Sequence, residues 1–264
     1  MVTVAAVVEE TSDARSLVFD VPDERRHEFA YKPGQFLTLR IPSDRTGSVA
    51  RCYSLASSPF TDDLPKVTIK RTAGGYGSHW LCDNVGVGDR IEVLPPAGVF
   101  TPASLDEDLI LFAAGSGITP VMSILKSALS EGNGKVVLVY ANRDEKSVIF
   151  ADELRELSAG HEHRLTVVHW LESVQGLPTP RQLANLSDRF RDHRAYVCGP
   201  RPPSWTRSTS RSHLPASRAT ACTPRCSPHC PGDPFADVVV EEVPDTGAGT
   251  ASTSRCNSTA KRTT

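Results

Sequence analysis

A chain of 264 residues with 39% hydrophobic and 23% charged side chains has the composition of a soluble globular protein and length enough for two ordinary domains. Its formal net charge of −2 provides no basic face for nucleic acid or an anionic membrane, which leaves small molecules or another protein as partners. The N-terminus lacks a basic-then-apolar leader, and the most apolar stretch, LILFAAGSGITPVMSIL, is broken by Gly, Ser, Thr and Pro, so a cytoplasmic chain without a membrane segment is expected.

From Val2 to about Gly98 the pattern is one of short alternating runs bounded by Pro, Gly and Asp: SLVFDVP, GQFLTLRIP, VARCYSLASS, KVTIKRT and DRIEVLPPAG. Such runs indicate an antiparallel sheet or barrel, interrupted by one helix at SHWLCDNV. After Thr101 the rhythm becomes strand then helix. DLILFAAGSG leads into TPVMSILKSALSEG, KVVLVYANR into FADELRELSAG, and RLTVVHWL into TPRQLANL, ending in AYVCGP. That alternation predicts a parallel sheet with crossover helices. The expected units are 1–101 and 102–200. From about Arg201 the chain is rich in Ser, Thr, Pro, Arg and Cys and has neither period, which predicts a disordered tail over 201–264.

Seven cysteines raise the question of a disulfide framework. Cys52, Cys82 and Cys198 stand singly among hydrophobic segments and are expected as reduced, buried thiols. Cys222, Cys226, Cys230 and Cys256 crowd the C-terminus, but their spacing is neither the C-x4-C-x2-C of plant-type ferredoxins nor the short pairs of zinc sites, so no metal is expected there.

Three strings carry chemistry. In Arg51-Cys52-Tyr53-Ser54, strand alternation puts Arg51 and Tyr53 on one face, offering a cation and an aromatic ring to a single ligand. The turn Gly74-Gly75-Tyr76-Gly77-Ser78, opening a helix, lets backbone N–H groups approach a phosphate. Either string also fits an ordinary strand or turn. Ala113-Ala114-Gly115-Ser116-Gly117-Ile118-Thr119-Pro120 runs from a strand into a helix and offers a place for a dinucleotide pyrophosphate, although it is not the full GxGxxG fingerprint. A tight turn without a ligand fits it equally. Tyr196-Val197-Cys198-Gly199-Pro200 closes a late strand on the same carboxyl edge. No base stands near Cys198 in sequence, so no covalent role is assigned to it.

Taken in order, RCYS, GGYGS, GSGITP, NRDEKSVIF and CGP resemble the ferredoxin-NADP reductase superfamily over essentially all of residues 1 to 200. The resemblance implies an antiparallel flavin-binding β-barrel followed by a parallel α/β nicotinamide-binding domain. It implies Tyr53 and Ser54 against the flavin ring, with Ser54 near the reactive N5, and Arg51 and Ser78 on the FAD diphosphate, with Lys70, Gly74 and Gly75 also in the cofactor-binding set. Gly115, Gly117 and Thr119 would receive the nicotinamide nucleotide, Cys198 would lie near the nicotinamide ring, and Gly199 and Pro200 also belong to the cofactor-binding set. Hydride would pass from the nicotinamide to FAD without a general base. Arg143 could meet a 2′-phosphate, yet Asp144 and Glu145 beside it argue the other way, so NADH is expected over NADPH.

YKPGQFLTLRIP, TGSVARCYSLASSPFTDD, AAGSGITPVMSI and HWLESVQGLP are similar, more closely, to the reductase components of bacterial 3-ketosteroid 9-alpha-hydroxylases. That subgroup implies an oxygenase partner and a C-terminal [2Fe-2S] ferredoxin domain, which is not matched here. Where the subgroup continues CGP with a PFMDA-like string and an HTEVF-like strand, this chain reads Pro203-Ser204-Trp205-Thr206-Arg207 and later Cys222-Thr223-Pro224-Arg225-Cys226. Back-translation in a neighbouring frame can restore both strings, so residues 202 to 231 and roughly 249 to 264 are expected to be frameshift products. On that expectation the last helix and strand of the second domain are lost, and the chain reduces artificial acceptors without coupled steroid hydroxylation. A flavin-binding electron-transfer module without nicotinamide activity, and an inactive product, remain open as alternatives.

Overall fold

The computed structural model describes residues 1–199 and the backbone of 219–222. The first unit holds β1 (Val2–Thr11), β2 (Ala14–Asp20), β3 (Phe36–Ser43), β4 (Gly47–Ser54), β5 (Lys66–Lys70), β6 (Arg90–Ile91) and β7 (Val93–Ala97), with helix α1 (Tyr76–Asn84) between β5 and β6. Two antiparallel sheets, in the orders β5-β2-β1-β6 and β4-β3-β7, close as a half-barrel. The chain passes from one sheet to the other at Glu92, whose carbonyl accepts from Arg40 N–H at 2.9 Å. Leu17, Phe19, Leu37, Leu39, Ile41, Val67 and Ile69 fill the interior, each at or below 1% exposure, because the alternating runs put one apolar set inward. Pro95 and Pro96 are tolerated in β7 because it is an edge strand.

The second unit is a parallel sheet in the order β10-β9-β8-β11-β12. Its elements are β8 (Leu109–Ala114), α2 (Ile118–Glu131), β9 (Val136–Asn142), α3 (Ala151–Gly160), β10 (Leu165–Leu171), α4 (Glu172–Gln175), α5 (Pro180–Ser187), β11 (Arg194–Cys198) and β12 (Ala219–Cys222). All of β8 is buried, which explains its uninterrupted apolar run. Helix α5 starts where TPRQ predicts: Thr179 and Gln182 form a reciprocal capping box with Pro180 in the first turn. The chain leaves β8 for β9 and β10 on one side, then returns to place β11 on the other. This reversal opens the crevice at the carboxyl ends of β8 and β11 where α/β sheets bind ligands.

Two expectations are corrected. The stretch read as a tail without elements contains β12, which pairs in parallel with β11 from Ala195↔Ala219 to Cys198↔Cys222 and so extends the sheet by one strand. An edge strand of four residues needs only backbone partners, and hydrophobic period cannot reveal it. The rest of the tail, including Cys226, Cys230, Cys256 and Pro200, lies outside the described residues. Cys82 and Cys198 are buried, but Cys52 is only half-buried, because β4 is the rim of its sheet. No described helix is long and apolar enough to cross a membrane.

The two units share a seam. Ala14, Ala56 and Phe100 belong to the core beneath α2, and the Phe100 ring meets Tyr196 edge-on at 5.5 Å between centroids. Ser123 Oγ donates to the Ser57 carbonyl at 2.6 Å, Ser58 and Ser127 share a 2.8 Å hydrogen bond, and Tyr31 reaches Ser57 Oγ at 2.7 Å. Lys126, 6% exposed, spans Asp62 at 2.7 Å and Glu153 at 2.8 Å, while Lys66 takes the other Glu153 oxygen at 3.0 Å.

A bulge in β1 between Glu9 and Thr11 turns Glu10 into this seam, where it accepts from Ser16 Oγ at 2.5 Å. Burial pushes the Glu10 carboxyl above its ordinary range, opposed by the Ser16 hydrogen bond and Lys66. Phe150, at φ 62°, is the one non-glycine residue with positive φ among the described residues, and Lys66 Nζ lies 5.0 Å from its ring centroid.

Candidate active site

On the half-barrel, the register Leu37↔Tyr53 and Leu39↔Arg51 puts Tyr53 and Arg51 on the face of the buried Leu37 and Leu39. Because β4 is an edge, the two side chains overhang the rim and stay half-exposed. The stem of Arg51 packs over the start of α1: a Cβ on Gly77 would meet Arg51 Cγ at 3.1 Å and Ile41 Cδ1 at 2.9 Å. The predicted strand and glycine-rich turn therefore form one cradle. Gly74 has φ +70° and open space where a Cβ would stand, and α1 begins at Gly75 without a side-chain cap. Its first N–H groups have no side-chain cap, and Arg51 Nε would stand 3.7 Å from a Cβ on Gly77 while Nη1 donates to the Ala50 carbonyl at 2.7 Å. That donor set suits a diphosphate.

Ser78, expected on the diphosphate, stands in the first turn of α1; its Oγ accepts from Thr72 N–H and donates to the Gly75 carbonyl, each at 3.1 Å, and so closes the turn. Lys70 ends β5 and pairs with Asp13 in the β1–β2 turn at 3.5 Å. Ser54 ends β4 opposite Phe36.

On the nucleotide side, the glycines of GSGITP differ in function. Gly115 has φ +49°, and a Cβ there would meet nothing among the described residues within 4 Å, so the chain turns sharply there without a close neighbour among them. Gly117 lies under the turn after β11: its Cβ would fall 2.2 Å from the Cys198 carbonyl oxygen and 2.6 Å from Gly199 Cα. The GSG turn and Cys198-Gly199, far apart in sequence, thus pack backbone to backbone across the switch point. Thr119, 6% exposed, donates to the Ser116 carbonyl at 3.1 Å and tightens the first turn of α2. Tyr140 holds the turn from below, its hydroxyl donating to the Gly115 carbonyl at 3.1 Å and accepting from Ile149 N–H at 3.3 Å; burial pushes that phenol up.

Asp144 spends its carboxylate on capping Ser147 N–H at 2.9 Å, while Arg143 stays largely exposed and reaches Asp13 at 3.5 Å. Asn142, which sequence reading did not single out, is 8% exposed at the end of β9 beside the Tyr140 hydroxyl, and its buried amide meets no partner among the described residues within geometric hydrogen-bond limits. A polar residue closing an otherwise apolar strand was the available signal.

An oxidoreductase FAD-binding domain family matches residues 1–101, and an oxidoreductase NAD-binding domain family matches residues 111–204. The 3-ketosteroid-9-alpha-monooxygenase ferredoxin reductase component of Rhodococcus rhodochrous is 64% identical over 255 residues, which cover 96% of this chain and 72% of the relative. The chain belongs to this reductase family. The homologous component of Mycolicibacterium smegmatis is 65% identical over 202 residues, 75% of this chain and 57% of the relative's own length. Among solved structures, ferredoxin-NADP+ reductase of Plasmodium falciparum (H286L mutant) superposes with a TM-score of 0.71 at 17% identity, covering 84% of this chain and 95% of that one. Amycolatopsis cytochrome P450 reductase GcoB gives a TM-score of 0.69 at 23% identity, covering 83% and 68%. These two likenesses establish the fold, and the family matches establish an oxidoreductase with FAD- and NAD-binding domains.

Proposed function

We propose that the chain takes electrons from NADH and passes them through FAD to an iron-sulfur protein or oxygenase component, as a monooxygenase reductase for a steroid substrate. In this reading residues 1–101 hold FAD and 102–200 hold the nicotinamide nucleotide. The observation that carries it is the meeting of the two glycine turns: Gly117 under the Cys198 carbonyl at the switch point, with the open side of Gly115 next to it. FAD, when bound, supplies the conversion of a two-electron hydride into single electrons.

The chain's own residues bind and orient. Arg51 and the start of α1 would hold the diphosphate, and Tyr53 and Ser54 would hold the flavin ring. Gly115, Thr119 and Gly199 would receive the nicotinamide nucleotide, with Cys198 near its nicotinamide end. Preference for NADH follows from the exposed Glu145 beside Arg143, since a carboxylate there repels a 2′-phosphate. The test is reduction of ferricyanide by flavin-loaded protein with NADH or NADPH at equal subsaturating concentration. Faster reduction with NADH is expected. Equal or reversed rates contradict the coenzyme assignment, and no reduction with either contradicts the proposed reaction.

A further inference from the structure

The β1–β2 hairpin gathers three charges from both units at one point. Asp13 sits in its turn, held from within the half-barrel: Thr11 Oγ1 donates to Asp13 Oδ1 at 2.8 Å, and Arg71 N–H donates to the Asp13 carbonyl at 2.8 Å. The other carboxylate oxygen, Oδ2, lies 3.5 Å from Lys70 Nζ and 3.5 Å from Arg143 Nη2. Lys70 ends β5, a strand that lies against the Gly115–Gly117 turn. Arg143 follows Asn142 at the carboxyl end of β9, next to β8 in the sheet. The cluster therefore stands at the mouth of the nucleotide crevice.

One carboxylate between two cations leaves a unit positive charge. The neighbouring carboxylates of Glu9 and Asp83 are engaged by Arg15 and Arg71, and Asp144 is turned to its own cap, so none of the three neutralises it; the exposed Glu145, two residues after Arg143, is the remaining acidic neighbour in sequence. Separations of 3.5 Å exceed the roughly 2.7–2.9 Å of a charge-assisted hydrogen bond, so both cations are held loosely and can turn to another anion.

We propose that Asp13 sets the affinity of this crevice for the phosphates of a nicotinamide nucleotide by occupying Lys70 and Arg143 when the nucleotide is absent. The inference rests on the proposed function, because it takes the crevice to bind a dinucleotide. Asp13 is a positioning residue and a built-in competitor. Entry of the diphosphate draws the two cations away from it, and its charge then repels the bound phosphates, which weakens reduced and oxidised nucleotide alike and favours release.

The test uses the flavin-loaded chain and Asp13→Asn, whose amide oxygen still accepts from Thr11. Calorimetric binding of ADP-ribose, which carries the diphosphate without nicotinamide, is measured at low and high salt, with the KM for NADH alongside. Removal of one charge about 4 Å from a solvated anion should tighten ADP-ribose about fivefold. The gain should shrink as salt rises, and the KM should fall in parallel. Asp13→Ser, which also lacks the carboxylate, should act in the same direction. Unchanged or weaker ADP-ribose binding in both variants overturns the inference, because a purely structural bridge would alter melting temperature alone. Failure of the parent protein to bind ADP-ribose would instead overturn the nicotinamide reading, and this inference with it.

Discussion

Substituting Gly117 by Ala tests the packing of the two turns that define the nucleotide crevice. The added methyl would lie 2.2 Å from the Cys198 carbonyl oxygen, 2.5 Å from its carbon and 2.6 Å from Gly199 Cα, where carbon contacts prefer about 3.5 Å or more. No side chain can rotate away, since every opposing atom is backbone. The strands that carry them are fixed in register by Cys198↔Ala113 and Val197↔Phe112. Relief requires the turns to part by about 1 Å, at a cost near the upper end of the ~1–3 kcal/mol typical of overpacking. For a folded unit of this size that is a fall in Tm of roughly 5–10 °C. A displacement of that scale can also cost up to about a hundredfold in kcat/KM for NADH. Gly115→Ala is the control: its methyl meets open space, so only the left-handed backbone is penalised, by about 1–2 kcal/mol. Urea unfolding and NADH kinetics on both variants provide the assay. A Gly117→Ala protein within about 0.5 kcal/mol of the parent, the range of a neutral surface change, with unchanged NADH kinetics, would refute the reasoning.

Lys126→Met removes the cation between Asp62 and Glu153 and leaves both carboxylates in the seam; with those partners about a quarter exposed, a loss of about 2 kcal/mol is expected in urea unfolding. Adding Asp62→Asn and Glu153→Gln should recover most of it, and no recovery would show that the ion pairs are not the cause. Glu10 has its carboxyl raised above the ordinary 4.5 by burial, so just above that pH the folded chain keeps a proton that the unfolded chain has lost. The stabilisation from this proton is complete below the ordinary value and disappears as pH rises through the raised one. Glu10→Gln should therefore flatten the pH profile of stability in that window and raise stability at neutral pH relative to the parent; an unchanged slope contradicts this. Arg51→Ala should weaken flavin retention by about 2 kcal/mol, roughly thirtyfold, without loss of folding. The ratio of flavin to protein absorbance after gel filtration reads it, and full retention of flavin contradicts the placing of the diphosphate at the start of α1.

Much of the architecture was legible because it rests on local rules. The apolar run of β8 followed by GSGITP, and TPRQ at the head of α5, name their own strand end and helix starts. The pairing of Arg51 with Tyr53 on one face follows from strand alternation. What escaped reading depends on the meeting of distant segments. Gly117 is required by Cys198, Lys70 at the end of β5 meets Asp13 in the β1–β2 turn, and Glu10 faces the seam only because a bulge shifts β1 by one residue. Strand β12 escaped because a short edge strand needs backbone partners and no hydrophobic pattern. The order of motifs showed the kind of protein, whereas the buried amide of Asn142 became visible only once β9 was placed in the sheet.

The most direct test of the account is the absorbance spectrum of the purified chain, recorded anaerobically before and after addition of NADH. A bound-flavin spectrum that bleaches on addition is the result the account predicts. Colourless folded protein would contradict the flavin site, and a flavin spectrum that neither NADH nor NADPH bleaches would contradict the nicotinamide site formed where Gly117 meets Cys198.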